Sequence, residues 1–255
     1  SYVRIVHLAS NAKEVDIYLN GETKAVSELA FGESVGYVVL PTDDYYVDIT
    51  TAGSDVKDSV LSAFLQLEAG TSYTVVAYPE DTGLKLQVTV DKRYTNAPDN
   101  IATIRASHLI EAVGEVDVYV VEMSPLDIAN FRLIDDLAFG YPTNYLNVPA
   151  THYVIGLDVD QDGAVDLTYS LPELITSDVA DLYAALDYSG NPVIYTLTEK
   201  GEFFKSEAEE LKGKTPVMNE IGAEKKRQDG RITFQGNPDV IIDPPERFQP
   251  VIIMQ

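Results

Sequence analysis

The densest chemistry in the chain lies in nine residues, Asp158-Val159-Asp160-Gln161-Asp162-Gly163-Ala164-Val165-Asp166. Aspartates stand at positions 1, 3, 5 and 9 of this run, with glycine at position 6. Carboxylate oxygens at that spacing suit a hard cation such as calcium. Gly163 permits the sharp bend, and the carbonyl of Ala164 at position 7 would complete the oxygen shell. The expected ligands of a structural Ca2+ are therefore Asp158, Asp160, Asp162, Ala164 and Asp166. An EF-hand places a bidentate Glu at position 12. This chain has Tyr169 there, which excludes the helix-flanked form. The same stretch also reads as a hairpin, because residues 153–159 and 165–169 alternate around the turn pair Asp162-Gly163. The two readings are compatible, since a strand tip can hold a cation.

Other reactive groups are sparse. His7 and His108 sit on strand-like segments, each three residues after an arginine, with no carboxylate or second His close in sequence. They read as satisfied core or strand-edge residues. His152 falls in a turn. Ser10-Asn11-Ala12-Lys13 and Ser54-Asp55-Val56-Lys57 match Ser-x-x-Lys, a pattern loose enough to arise by chance. Asp43-Asp44 and Asp135-Asp136 read as solvated turn residues. No nucleophile elbow, His-Glu-x-x-His, phosphate loop or dinucleotide fingerprint is present. No catalytic or cofactor-binding residue is expected, and the chain is not read as an enzyme.

The elements that would hold these residues come twice. Arg4-Ile5-Val6-His7-Leu8 returns as Arg105-Ala106-Ser107-His108-Leu109, and residues 14–19 (Glu-Val-Asp-Ile-Tyr-Leu) return as 115–120 (Glu-Val-Asp-Val-Tyr-Val), both at an offset of 101. Leu29-Ala30-Phe31-Gly32 then returns as Leu137-Ala138-Phe139-Gly140 at an offset of 108, so the second copy carries seven extra residues, Pro125 among them. At that offset Tyr37, Pro41 and Tyr45 match Tyr145, Pro149 and Tyr153. Ordered matches of this kind signal a duplication. Within each copy the period is two: Val15, Ile17 and Leu19 face one way, Asp16 and Tyr18 the other. Turn signals such as Asn20-Gly21 and Ala52-Gly53-Ser54 fall every 8–12 residues. The expected fold class is all-β: two tandem antiparallel immunoglobulin-like β-sandwiches with a C-terminal strand-forming arm. The expected division is residues 1–93, a linker at 94–102, residues 103–199 and an arm at 200–255.

The run Val3-Arg4-Ile5-Val6-His7, Val15-Asp16-Ile17-Tyr18, Leu29-Ala30-Phe31-Gly32, Gly36-Tyr37 and Leu40-Pro41 resembles the bacterial family known as domain of unknown function 4397. The resemblance covers residues 2–93 well and 103–199 less closely. It implies secreted or surface-tethered β-sandwich proteins, often in tandem, some described as cell adhesion proteins, with no known chemistry.

Composition narrows the partners. The 255 residues carry a net charge of −23. That field repels nucleic acid and anionic membranes and favours cations and basic partners. Residues 101–199 are the most acidic, with 2 basic and 16 acidic side chains, whereas residues 200–255 carry 9 basic and 10 acidic. There is no Cys, so disulfides and thiolate sites are excluded. No apolar run reaches the roughly 20 residues a membrane-spanning helix needs, and no signal segment is visible. A chain that opens directly on a core strand, Tyr2 to Val6, is expected to be a processed product.

Ser206-Glu207-Ala208-Glu209-Glu210-Leu211 reads as a short helix. Strand-like pieces follow at 231–235 and 239–243, with a last apolar run at Val251-Ile252-Ile253-Met254. The arm, with its Lys225-Lys226-Arg227 cluster, suits an acidic surface. It either folds back on its own sandwiches or adds a strand to a neighbour; the sequence leaves both open. The resulting expectation is a non-catalytic extracytoplasmic structural or adhesion protein, a subunit of a surface filament or matrix. Its partners would be other copies of itself or another surface protein, engaged through residues 200–255. The alternative is a monomeric module that binds a glycan or protein through sandwich-edge loops.

Overall fold

Period-two alternation, punctuated by turns that need positive φ, divides the chain into strands. At Asn20-Gly21, φ of 53° and 72° sets the primed type of turn that matches strand twist. The computed structural model describes residues 1–92, 98–124, 131–209, 232–234 and 237–242. Pro125, the Lys225-Lys226-Arg227 cluster, the apolar run at 251–254 and residues 94–97 of the expected linker lie outside the described residues.

The described chain forms two compact units, one of Ser1–Lys92 with Leu186–Asn191, the other running on to Ala185 and resuming at Pro192. The first unit contains β1 (Tyr2–His7), β2 (Val15–Leu19), β3 (Thr23–Leu29), β4 (Glu33–Val39), β5 (Asp44–Thr51), β6 (Leu61–Gln66), β7 (Ser72–Glu80) and β8 (Gly83–Val90). They form two sheets, in the orders β4-β1-β7-β8 and β3-β2-β5-β6. The second unit contains β9 (Ile101–His108), β10 (Val116–Ser124), β11 (Phe131–Leu137), β12 (Leu146–Pro149), β13 (His152–Asp158), β14 (Leu167–Ser170), β15 (Val179–Leu186), β16 (Pro192–Thr198) and β17 (Phe203–Glu207). Its sheets run β12-β9-β15-β16-β17 and β11-β10-β13-β14. Strand for strand this is the same topology, with β17 added. The only helix among the described residues is one 3-10 turn, Val56–Asp58. The all-β expectation holds. One pair in each unit, β1 with β7 and β9 with β15, is parallel within otherwise antiparallel ladders.

The inward faces meet as expected. Val3, Val15, Ile17, Ile49, Leu65 and Val75 pack one core. Ile104, Val116, Val118, Ile155, Leu157 and Leu182 pack the other. Burying each such side chain contributes about 1.5–3 kcal/mol, so two self-contained cores of this size support two units.

Two boundaries differ from the sequence reading. β9 begins at Ile101, inside the expected linker, because Ile101 and Ala102 pair with Pro149 and Val148. The second sheet also runs past the expected end at 199. Gly201, at φ 88°, turns the chain back, β17 pairs along β16, and Phe203 stacks on Tyr195 at 5.3 Å. Ser206 and Glu207 are therefore strand, not the start of a helix: Ser206 Oγ donates to the Ser170 carbonyl at 2.7 Å, and the Glu209 amide donates to the Thr168 carbonyl. Glu210 and Leu211 lie outside the described residues. Beyond them β18 (Ile232–Phe234) and β19 (Asn237–Ile242) pair as a two-stranded sheet, as the strand-like pieces of the arm suggested.

Each unit buries an arginine on its central strand. Arg4, 2 % exposed, donates to Thr74 Oγ1 at 3.0 Å; that hydroxyl donates to Asp91 at 2.6 Å, and Arg4 lies over the Tyr37 ring. Arg105, 4 % exposed, lies over Tyr145 and donates directly to Asp181 at 2.7 Å. Removing one member of such a pair strands the other charge in a low-dielectric interior. Asp181→Ala is expected to destabilise the second unit by about 3–5 kcal/mol, with Asp181→Asn costing less, as read from urea unfolding midpoints of the full chain.

Candidate metal centre

The repeated polar residues are mostly spent on the fold. His7 Nε2 donates to the Lys13 carbonyl at 3.0 Å while Nδ1 accepts from the Ala9 amide. His108 Nε2 donates to the carbonyls of Val113 and Gly114. Each ring meets a phenylalanine edge-on, Phe31 and Phe139. Both histidines are buried, and burial pushes their pKa below the ordinary value. Tyr45 and Tyr153 each donate to a carbonyl four residues upstream, Pro41 and Pro149, the kind of link found at tyrosine corners. His152 meets Ser170 Oγ at 2.9 Å.

The acidic centre is built on a second repeated residue. Asp16 and Asp117 point to the outer face of their sheets yet are buried. In the first unit Asp16 accepts from Lys24 Nζ at 2.6 Å and from the amides of Glu28 and Gly53 at 2.8 and 2.9 Å. Burial works against its charge, but the Lys24 ammonium and the two amides prevail and hold its carboxyl below the usual range. In the second unit Arg132 and the Asp136 amide take the corresponding places on Asp117, at 2.8 and 2.9 Å. Glu28 and Asp136 both sit at φ near 50°, at the bulge that turns their amides onto the carboxylate.

The two units then part. The cross-strand partner of Asp16 is Thr50; that of Asp117 is Asp158. Asp158 is 0 % exposed. Its Oδ2 accepts from the Gly163 amide at 2.9 Å, whereas its Oδ1 is buried and accepts no hydrogen bond. Burial pushes its carboxyl up; the amides of Gly163, Gln161 and Asp162 oppose that shift, and the Asp162 charge adds to it. The neighbouring Tyr119 hydroxyl is likewise pushed up, by burial first and then by the Asp117 charge.

What covers Asp158 is its own loop. Residues 159–166 fold back over the outer face, and Val165 packs on Gly156. A Cβ at Gly156 would lie 2.6–2.8 Å from Val165 and Val121 methyl carbons, so glycine is required there by space alone. Oxygens of Asp158, Asp160 and Asp166 come within 4.8 Å of one another. Asp162 does not join them; its Oδ1 accepts from the Ala164 amide, and Asp160 Oδ1 accepts from the Asp162 amide. Three of the four expected carboxylates thus converge. A second group, Asp117, Asp135 and Asp136, is equally close-set. The sequence reading placed Asp135 and Asp136 in a solvated turn; they lie instead on β11, and Gln161 Nε2 joins the groups by donating to Asp136 Oδ1 at 2.7 Å. All donors are carboxylates, which suits a hard cation.

Residues 1–119 match the family model described as Domain of unknown function (DUF4397), covering the first unit and the start of the second. No curated protein matches the chain. Among solved structures, a fimbrial assembly protein from Parabacteroides distasonis ATCC 8503 aligns at 11% identity over 80% of this chain and 98% of its own, with a TM-score of 0.25. The Bacillus anthracis TIE protein aligns at 12% identity over 80% of this chain and 42% of its own, with a TM-score of 0.21. Likenesses this slight carry no argument here.

The histidines give a pH prediction. A ring that resists protonation when folded adds stability that is full above the unfolded pKa near 6.5 and is lost as pH falls toward the folded value. An NMR titration of the full chain should place the His7 and His108 midpoints below 6.5, and unfolding of the first unit at pH 5 should be easier than at pH 7.5, with that difference reduced in His7→Gln.

Proposed function

From a chain whose residues 1–119 carry this domain, we propose that the protein is a non-catalytic structural or adhesive component of the extracytoplasmic surface, assembled into a filament or matrix through its C-terminal arm. The observation that carries this reading is the β18-β19 pair. A two-stranded sheet on its own is marginal in water. Among the described residues it is hydrogen-bonded into neither sandwich sheet, and β19 lies beside the edge strand β12; the edges left open are suited to adding to the sheet of another molecule. The acidic surface of residues 101–199 and the Lys225-Lys226-Arg227 cluster supply the charge match. The non-catalytic part is supported by His7 and His108, which are buried with Nε2 held by backbone carbonyls. No helix among the described residues is long and apolar enough to cross a membrane.

A second reading has its own observation. Tyr46, 64 % exposed, and Phe64 form a cross-strand aromatic pair at 5.4 Å on the outer face of the first unit. Such a platform suits stacking of a sugar ring. Tyr46→Ala would abolish glycan binding under this reading and leave assembly unchanged under the first.

The test is a chain ended after Glu209, which keeps β17 and the whole second sandwich. Light scattering and electron micrographs should show polymers for the full chain and monomers for the shortened one. Polymers of equal length from both would remove the arm from the assembly, and monomers from both would remove the filament.

A further inference from the structure

The second sandwich holds more buried negative charge than its own cations answer. Arg132 binds Asp117 and also Asp135 at 2.8 Å, so the group on β10 and β11 already has its cation. The neighbouring group has none: among the described residues no lysine or arginine pairs with Asp158, Asp160 or Asp166. The first unit is a built-in control. Its equivalent of Asp158 is the neutral Thr50, and Lys24 answers Asp16 at 2.6 Å.

A cluster of exposed carboxylates is common without any ion. What distinguishes this one is Asp158. It is fully buried, one of its oxygens has no hydrogen-bond partner, and it belongs to the converging group. Leaving a carboxylate oxygen buried and unpaired is costly, and a cation in the loop removes that cost. We propose that Asp158, Asp160 and Asp166 bind one calcium ion that fastens the 158–166 loop to the outer face of the second sandwich, with Arg132 keeping the adjoining Asp117 group closed to it. An irregular loop of carboxylates suits Ca2+, which accepts flexible oxygen geometry, better than Mg2+, which demands a near-ideal octahedron and gives up its waters reluctantly. The absence of His or Cys from the group argues against a softer metal. This site does not depend on the filament reading.

The test is a calorimetric titration of the full, EDTA-treated chain with CaCl2, alongside MgCl2 at equal ionic strength. One Ca2+ per chain is expected, at a Kd of roughly 0.1–1 mM, the range of extracellular modules, with at least tenfold weaker Mg2+ binding. At tenfold Ca2+ excess over Kd the unfolding equilibrium constant of the second unit should fall about tenfold. Asp160→Asn and Asp166→Asn change exposed residues and should fold normally and lose the calcium response. Asp158→Asn should lose it too, yet in EDTA be at least as stable as the parent chain, because a buried unpaired charge has been removed. No heat with CaCl2, an equal response to Mg2+, or calcium binding that survives in the Asp160 and Asp166 variants would each overturn the proposal.

Discussion

Buried charge must be answered within a few ångströms, and each sandwich is organised by the way it meets that requirement. An arginine on the central strand and an aspartate on the next strand stand in the same places in both units, Arg4 with Asp16 and Arg105 with Asp117. The arginine is bonded across the parallel pair, to Thr74 in one unit and Asp181 in the other. The aspartate draws in a bulge amide and a basic side chain from the neighbouring strand, Lys24 or Arg132. These polar ties hold sheets whose apolar faces alone would leave register less strictly specified.

Against that common frame, a single exchange accounts for the acidic centre of the second unit. Where the first has Thr50 opposite its buried aspartate, the second has Asp158. Two carboxylates then face one another across β10 and β13. The loop that follows is long enough to fold over them, and Gly156 leaves the room Val165 needs to hold it down. A buried acidic position of this kind is tolerable only with compensation, which is why the chemistry of the protein concentrates there rather than at the histidines.

Much of this was legible in the residues. The matched stretches marked the polar frame itself: the arginines, histidines, tyrosines and prolines that recur at fixed offsets are those that bond to one another or to backbone. The Asp-rich spacing led to three converging carboxylates. Other features could not be read. Asp117 alternates outward, and nothing local says that an outward residue is covered; its partners, Arg132, Asp136 and Asp158, are 15 to 41 positions away. Asp135 and Asp136 looked like a polar turn because a bulge has no signature beyond its φ. The parallel pairs arise between strands more than 60 residues apart. Ser206 and Glu207 read locally as helix because Glu-Ala-Glu-Glu favours it, whereas the open edge of β16 makes them the end of β17.

That extra strand alters how the second sandwich would carry load. In the first unit β8 ends level with the beginning of β1, since Val90 and Val3 both register with Tyr73. Tension between those two points tugs at one margin of the sheet and would unzip it rung by rung. In the second unit β16 also finishes beside the beginning of β15. β17 then reverses and finishes beside Val193, at the opposite margin. Tension between the beginning of β9 and the end of β17 therefore acts along the strands, in shear, so that the rungs between β16 and β17 must rupture together. Of the two sandwiches, the second is the one whose connectivity makes it the stiffer mechanical link.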